Sequence, residues 1–223
     1  MRVAALYDVH GMPWALDAVL AEVDAEAIVV GGDFIYGPYP EVTLERVRRL
    51  DASVVRGNCE SRPSDWDRER LSTEQLEWAA ALPLAVELDG VVYCHATPAD
   101  DMPVTTAVTE DRIVAETFQG VSGTVVIGHT HHQFDRTVGD VRIVNAGAVG
   151  MPYEGDVAAF WALFGPGVEL RRTEFDVDRA AAALLASGWP EAEPFVAENL
   201  RAAPSRDETA ALFEQIAADR GER

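Results

Sequence analysis

Short apolar runs alternate with amphipathic or polar stretches along most of the chain. Residues 3–7 are uninterrupted apolar positions that stop at Asp8-Val9-His10-Gly11, a pattern that predicts a buried strand followed by a loop. Pro13 then opens an amphipathic helix to about residue 23, with Leu16, Val19, Leu20 and Val23 on one face. Residues 27–30 form a second strand ended by Gly31-Gly32-Asp33. Residues 41–50 form a second helix, and residues 53–55 a third strand ended by Gly57-Asn58-Cys59-Glu60. This order implies parallel strands joined by right-handed crossovers. Polar loops follow the carboxyl ends of the strands, where open α/β sheets place their ligands.

Residues 61–71 are charged and read as a loop, and Ser72-Thr73-Glu74-Gln75 is a capping box for a helix to about residue 82. Residues 84–88 and 91–94 form a hairpin across Asp89-Gly90. A helix over 109–119 stops at Gly120, and a strand over 124–127 runs into Gly128-His129-Thr130-His131. Two further hairpins pair 134–138 with 141–144 and 157–164 with 168–175. After Asp176 the pattern becomes helical, over 178–187, 191–200 and 205–218, the last opened by Ser205-Arg206-Asp207-Glu208. No internal repeat or heptad run is present. The expected organisation is a core over residues 1–175 and a helical C-terminal extension, 176–223. The extension packs on the core or on a second subunit, which would make a homo-oligomer.

The net charge is −20, and all 18 cations are Arg. Proteins that coat nucleic acid or bind anionic membranes need a basic face, so neither partner is expected. No apolar stretch is long enough to span a membrane, and the first apolar run is too short for a signal peptide. Two cysteines, Cys59 and Cys94, make no disulfide framework, so the expected address is cytoplasmic.

The informative chemistry is clustering. Asp8, His10, Asp33, Asn58, His95, His129 and His131 each lie just beyond a predicted strand, among glycines, where side chains converge on one crevice. Singly, each has an ordinary reading: a strand-end Asp as a turn residue, Asn58 as turn chemistry, a His as a hydrogen-bonded core residue. Jointly they read as a metal site. Asp-x-His and His-x-His supply two donors from one loop, and the imidazole–carboxylate mixture suits Mn, Fe, Zn, Ni or Co.

These motifs occur in an order and spacing that resemble the calcineurin-like metallophosphoesterases, in particular their small bacterial and archaeal phosphodiesterases. The resemblance covers about residues 1–175. It implies a four-layer α/β (α+β) sandwich of two mixed sheets flanked by helices. It also implies two divalent metal ions per chain, Mn foremost. By the resemblance Asp8, His10, Asp33 and His131 hold one metal, and Asp33 bridges to a second held with Asn58, His95 and His129. His132 has no place in the pattern and faces away. Tyr7 and Met12 stand where the family usually has a small residue and an Asn, departures that would reshape the pocket mouth.

The implied reaction is in-line attack of a metal-bridging hydroxide on a small phosphodiester or nucleotide, since paired cations lower the pKa of water from 15.7 toward about 7. A dinucleoside polyphosphate hydrolase and a phosphoprotein phosphatase are alternatives on the same site. A non-catalytic metal-binding scaffold is the alternative of another class, because the fold also serves as a subunit of the retromer coat. Asp33, Asn58, Cys59 and His95 are the candidate catalytic residues. Cys59 stands where many relatives carry a His that protonates the leaving group. It reads either as a small residue without a role or as a poor proton donor, held as thiolate by the cations. Arg56, Arg62 and Arg136 are candidate phosphate contacts, each competing with an ordinary surface role. Tyr36, Tyr39 and Trp66 are candidate stacking residues, competing with packing over a core edge.

Overall fold

A computed structural model describes residues 1–222. β1 (Val3–Leu6), α1 (Pro13–Glu22), β2 (Ala27–Val30), α2 (Pro40–Arg49) and β3 (Ser53–Val54) open the chain, followed by α3 (Asn58–Ser61), α4 (Asp65–Arg70) and α5 (Thr73–Ala80). Then come β4 (Ala85–Leu88), β5 (Val91–Cys94), α6 (Asp111–Thr117), β6 (Gly123–Ile127), β7 (Phe134–Val138), β8 (Val141–Asn145), β9 (Ala159–Phe164) and β10 (Val168–Thr173). The extension contains α7 (Val177–Ala186), α8 (Ala192–Phe195), a π-helical turn (Val196–Leu200) and α9 (Arg206–Asp219).

The strands make two mixed five-stranded sheets, ordered β10-β9-β1-β2-β3 and β4-β5-β6-β8-β7. β1, β2 and β3 are parallel, as are β5, β6 and β8, so the carboxyl ends in each set lie on one edge. The three predicted hairpins are present, joining β4 to β5, β7 to β8 and β9 to β10.

Side-chain alternation along β1 explains the layering. Val3, Ala5 and Tyr7 point between the sheets, where they pack with Tyr93, Val126 and Val144 of the second sheet and with Phe164. Ala4 and Leu6 point the other way, into a cluster with Leu16, Val19, Leu44 and Val47 of α1 and α2. On the far side, Cys94, Val125 and Ile127 pack on Val114 and Phe118, next to and within α6. The result is helix, sheet, sheet, helix. Tyr7 is fully buried between the sheets, its hydroxyl donating to the Val126 carbonyl at 3.0 Å, and Met12 is in the core. Neither reaches the pocket mouth, contrary to expectation: the side chain of Tyr7 follows the strand's inward alternation.

Two local elements depart from the pattern reading. Residues 61–71 contain α4, because the Ser64 side chain caps the Asp67 N–H and the Asp67 carboxylate accepts the Ser64 N–H at 2.9 Å. That is a capping box with Asp in the reciprocal position. The expected helix over 191–200 is a short α-turn that widens into the π turn.

The extension packs on its own chain. Ala180, Ala181 and Leu184 of α7 join the core cluster outside the first sheet. α9 is pinned by an ion pair from Arg206 to Glu154 at 2.9 Å, and Glu214 accepts the hydroxyls of Thr106 and Thr109. Among the described residues no helix is long and apolar enough to cross a membrane.

Candidate metal centre

All seven predicted ligand side chains converge where the carboxyl ends of both sheets meet. Asp8 and His10 follow β1, Asp33 follows β2, Asn58 opens α3, His95 follows β5, and His129 and His131 follow β6. Reaching one point from separate loops forces the backbone into a sparsely populated region. Among the described non-glycine residues with positive φ are Asp8 (53°), His10 (47°), Asp33 (52°), His129 (66°) and His131 (60°). Each such residue costs of order 1–3 kcal/mol, and such residues cluster at functional sites. Two glycines make room for the carboxylates. A Cβ on Gly57 would lie 2.1 Å from Asp33 Oδ1, and one on Gly128 would lie 2.4 Å from Asp8 Oδ2.

The ligand atoms form three overlapping groups, Asp8-His10-His131, His10-Asp33-Cys59 and Asp33-His95-His129, in each of which all atoms lie within 4.8 Å of one another. Asp33 thus belongs with His10 on one side and His95 on the other. Asn58 Oδ1 lies 3.2 Å from His95 Nε2, on the His95 side.

The histidine tautomers show that these atoms fit a cation. His95 Nδ1 donates to the Gly31 carbonyl at 3.0 Å, His131 Nδ1 to Met151 at 2.8 Å and His129 Nε2 to Met102 at 3.1 Å. A carbonyl can only accept, so each ring's other nitrogen faces the site, the usual outer-shell arrangement of metal-binding imidazoles. Those inward nitrogens crowd together: His95 Nε2 is 3.1 Å from His129 Nδ1, and His10 Nε2 is 3.1 Å from His131 Nε2. Asp8 Oδ1 is buried without a hydrogen-bond partner, 3.4 Å from His131 Nε2. Acceptors packed this closely need positive charge among them.

Without a cation there, a proton would partly fill that role. Burial disfavours a charged His95, but the charge and hydrogen bond of Asp33, with Asp8 behind it, outweigh burial and raise its pKa to about 10. Burial and neighbouring imidazoles push His10 down to about 4 and His129 down to about 3. Burial favours neutral Asp8 and Asp33, yet the histidines around them hold both below the usual carboxylate range. Metal binding must therefore displace the His95 Nε2 proton. Below pH about 10 that proton competes with the metal, so affinity should rise with pH through neutrality. Calorimetry of Mn binding at pH 8 in buffers of differing ionisation heat should show about one proton released from His95, absent in His95→Ala. Equal proton release in the variant would contradict this.

Glu60 is the supporting residue that sequence reading left inside its motif. Its buried carboxylate accepts backbone N–H groups of Gly57 at 2.7 Å, Asp33 at 2.8 Å, Phe34 at 2.9 Å and Ile35 at 3.3 Å. It ties the Asp33 loop to the Asn58 turn. Burial and the Asp33 charge raise its pKa to about 7, against the pull of these donors.

Cys59 donates its thiol to Asp33 Oδ2 at 3.1 Å, and its backbone N–H to Asp33 Oδ1 at 2.8 Å. Burial, then the charges of Asp33 and Glu60, push the thiol well above its ordinary pKa, so it is cations beside Cys59 that would have to hold it as the thiolate. His132 is buried outside the ligand groups and bonds the Thr130 carbonyl at 2.7 Å.

A pocket of about 560 Å³ opens above the ligands and includes Arg62 and Tyr36. The structure does not bring Arg56 or Arg136 to it. Arg56 donates to the Ala80 carbonyl at 2.9 Å, and Arg136 donates to the carbonyls of Thr106, Ala107 and Thr109 and pairs with Asp111. Tyr39 bonds the Ala183 carbonyl at 2.9 Å and Trp66 lies under Arg70, so both serve packing.

The fold matches those of known proteins. A crystal structure of a metallophosphoesterase from Sphaerobacter thermophilus is similar at 27% identity and a TM-score of 0.73, covering 91% of this chain and 100% of that one. A hypothetical protein from Pyrococcus horikoshii OT3 shares the fold at 17% identity and a TM-score of 0.71, with 87% and 97% coverage. Among curated proteins no match was found. The family model described as the calcineurin-like phosphoesterase superfamily domain matches residues 1–163, the segment that supplies every one of the converging ligands, and the chain belongs to that superfamily.

Proposed function

We propose that the protein is a dinuclear metal-dependent phosphoesterase acting on small phosphodiesters or nucleotides, with Mn as its working metal. The observation that carries this reading is the pair of ligand clusters sharing Asp33 beneath a pocket that offers Arg62. One metal would be held by Asp8, His10, Asp33 and His131, the other by Asp33, Asn58, His95 and His129. Bound there, the cations supply an acidified water and positive charge for the phosphate oxygens. The chain's own residues do the rest. Asp33 holds the two clusters in register, the carbonyls of Gly31, Met102 and Met151 fix the imidazole orientations, and Arg62 can take a phosphate oxygen pair.

Asp33, Asn58 and His95 are the residues we assign to catalysis, with Cys59 beside them setting how the leaving group departs. Cys59 is a poor proton donor: its thiol points at Asp33 Oδ2, and cations held at Asp33 would keep it as thiolate, with no proton for a leaving oxygen. A general acid contributes about 10²–10⁴ when the departing group is a basic alkoxide, and far less for an aryl oxide. The enzyme should therefore favour aryl diesters and phosphoanhydrides over alkyl monoesters. Cys59→His should raise kcat/KM on alkyl esters more than on aryl esters. Equal changes on both classes would show that protonation is not set at this position.

With a net charge of −20, long polyanions and anionic membranes are poor partners, and we place the protein in the cytoplasm. A screen of Mn-loaded protein against phosphomonoesters, phosphodiesters, cyclic nucleotides and dinucleoside polyphosphates tests the reading. Turnover strongest on diesters or nucleotides is expected. Tight metal binding with no turnover on any of them would favour an interaction scaffold instead.

A further inference from the structure

The pocket has two walls of different origin. One is the ligand loops with Arg62 and Tyr36. The other is the C-terminal extension, which contributes Glu191, Phe195, Glu198, Asn199 and Phe213. The ring of Phe213, on α9, is half-buried and stands 6.5 Å from the ring of His129, 6.4 Å from that of His131 and 6.1 Å from that of Tyr153. Tyr153 itself stacks on His131 at 4.9 Å with 20° between planes. Tyr153 and Phe213, tilted 46° to each other, therefore form an aromatic wedge directly beside two ligand imidazoles.

Several features suit that wedge to a nucleobase. Stacking on an aromatic side chain is sequence-tolerant and worth about 1–3 kcal/mol per base. Asn199 carries a donor and an acceptor side by side, the pair that reads a base edge. It sits on the π turn Val196–Leu200, a rare distortion that is frequent at functional sites. A volume of about 560 Å³ is in the range of small-molecule sites, and more than a bare phosphate or alkyl ester needs. The charge balance limits the phosphates. Among the described residues Arg62 is the sole Arg lining the pocket, while Glu191 and Glu198 line it from the extension. Charge for one phosphate is available at the ligand cluster, and a polyphosphate chain running toward the extension would meet carboxylates.

We propose that the extension is the substrate-recognition wall of the site, with Phe213 and Tyr153 holding the base of a nucleoside phosphoester that carries one phosphate, and Asn199 reading its edge. This rests on the phosphoesterase reading and names its substrate class.

The test uses full-length Mn-loaded protein and two diesters with the same leaving group, a nucleoside 5′-p-nitrophenyl phosphate and ethyl p-nitrophenyl phosphate. The protein should prefer the nucleoside ester by about tenfold or more in kcat/KM. Phe213→Ala should collapse that preference about tenfold, mainly through KM, and Phe213→Tyr should restore it. Asn199→Ala should change the ranking among bases. A parallel calorimetric arm measures nucleoside monophosphate against inorganic phosphate, where Phe213→Ala should weaken only the former. A preference near unity, or one unchanged in Phe213→Ala, overturns the proposal, as does weakening of both ligands alike. A dinucleoside polyphosphate hydrolysed faster than the nucleoside diester overturns the single-phosphate part. Should no ester turn over, the phosphoesterase reading fails, and the calorimetric arm alone decides whether the wall holds a nucleoside.

Discussion

Asp33→Asn is expected to lower kcat by at least about 10³ while leaving the fold intact, as for removal of a central electrostatic element. The side chain is shared by two ligand groups, and its carboxylate lies 3.4 Å from His95 Nε2 and 3.1 Å from Cys59 Sγ. An Asn at this position can still accept the Cys59 N–H, so the loop keeps its anchor. It cannot supply the negative charge that holds cations on both sides. The check is steady-state hydrolysis of an aryl phosphodiester alongside metal content and a thermal melt. Activity within tenfold of the parent, with both metals bound, would contradict the shared-ligand assignment.

The second large effect is expected at a residue that need never touch substrate. Glu60 is buried and accepts four backbone N–H groups, two on each carboxylate oxygen, from the loops that carry Asp33 and Asn58. In Glu60→Gln one oxygen becomes an amide that points its own N–H groups at two backbone donors. Leaving buried donors unsatisfied costs about 1–3 kcal/mol each. A loss of about 3 kcal/mol or more follows, a fall in Tm of roughly 6–12 °C for a chain of this size. Because Asp33 and Asn58 lose their common anchor, kcat should fall at least about tenfold with it. A metal-free melt within about 2 °C of the parent would show that Glu60 is not the tie between the loops.

What could be read from sequence follows from how local the determinants are. The ligands were legible because a metal needs particular donor types, and because alternating apolar runs mark where strands end. The hairpins at Asp89-Gly90 and Gly139-Asp140 were legible because glycine in a two-residue turn is a local signal. The role of Glu60 was not, since a carboxylate inside a motif shows its charge but not the four N–H groups that converge on it from two loops. α4 was obscured by a run of charges that hid its Ser64–Asp67 cap. Arg56, Arg62 and Arg136 looked equivalent as cations near motifs, and only tertiary placement turned two of them to backbone carbonyls. Phe213 lies far along the chain from the histidines it approaches, and nothing in its own helix signals the contact.

Hydrolysis of an aryl phosphodiester by chelator-stripped protein, as Mn is added in known equivalents with bound metal counted in the same samples, tests the dinuclear site most directly. Activity should be absent without metal and rise until two equivalents are bound per chain, and Asp33→Asn should abolish the second binding event together with the activity. Full activity at one bound equivalent, or two equivalents bound with no hydrolysis, would contradict a dinuclear phosphoesterase.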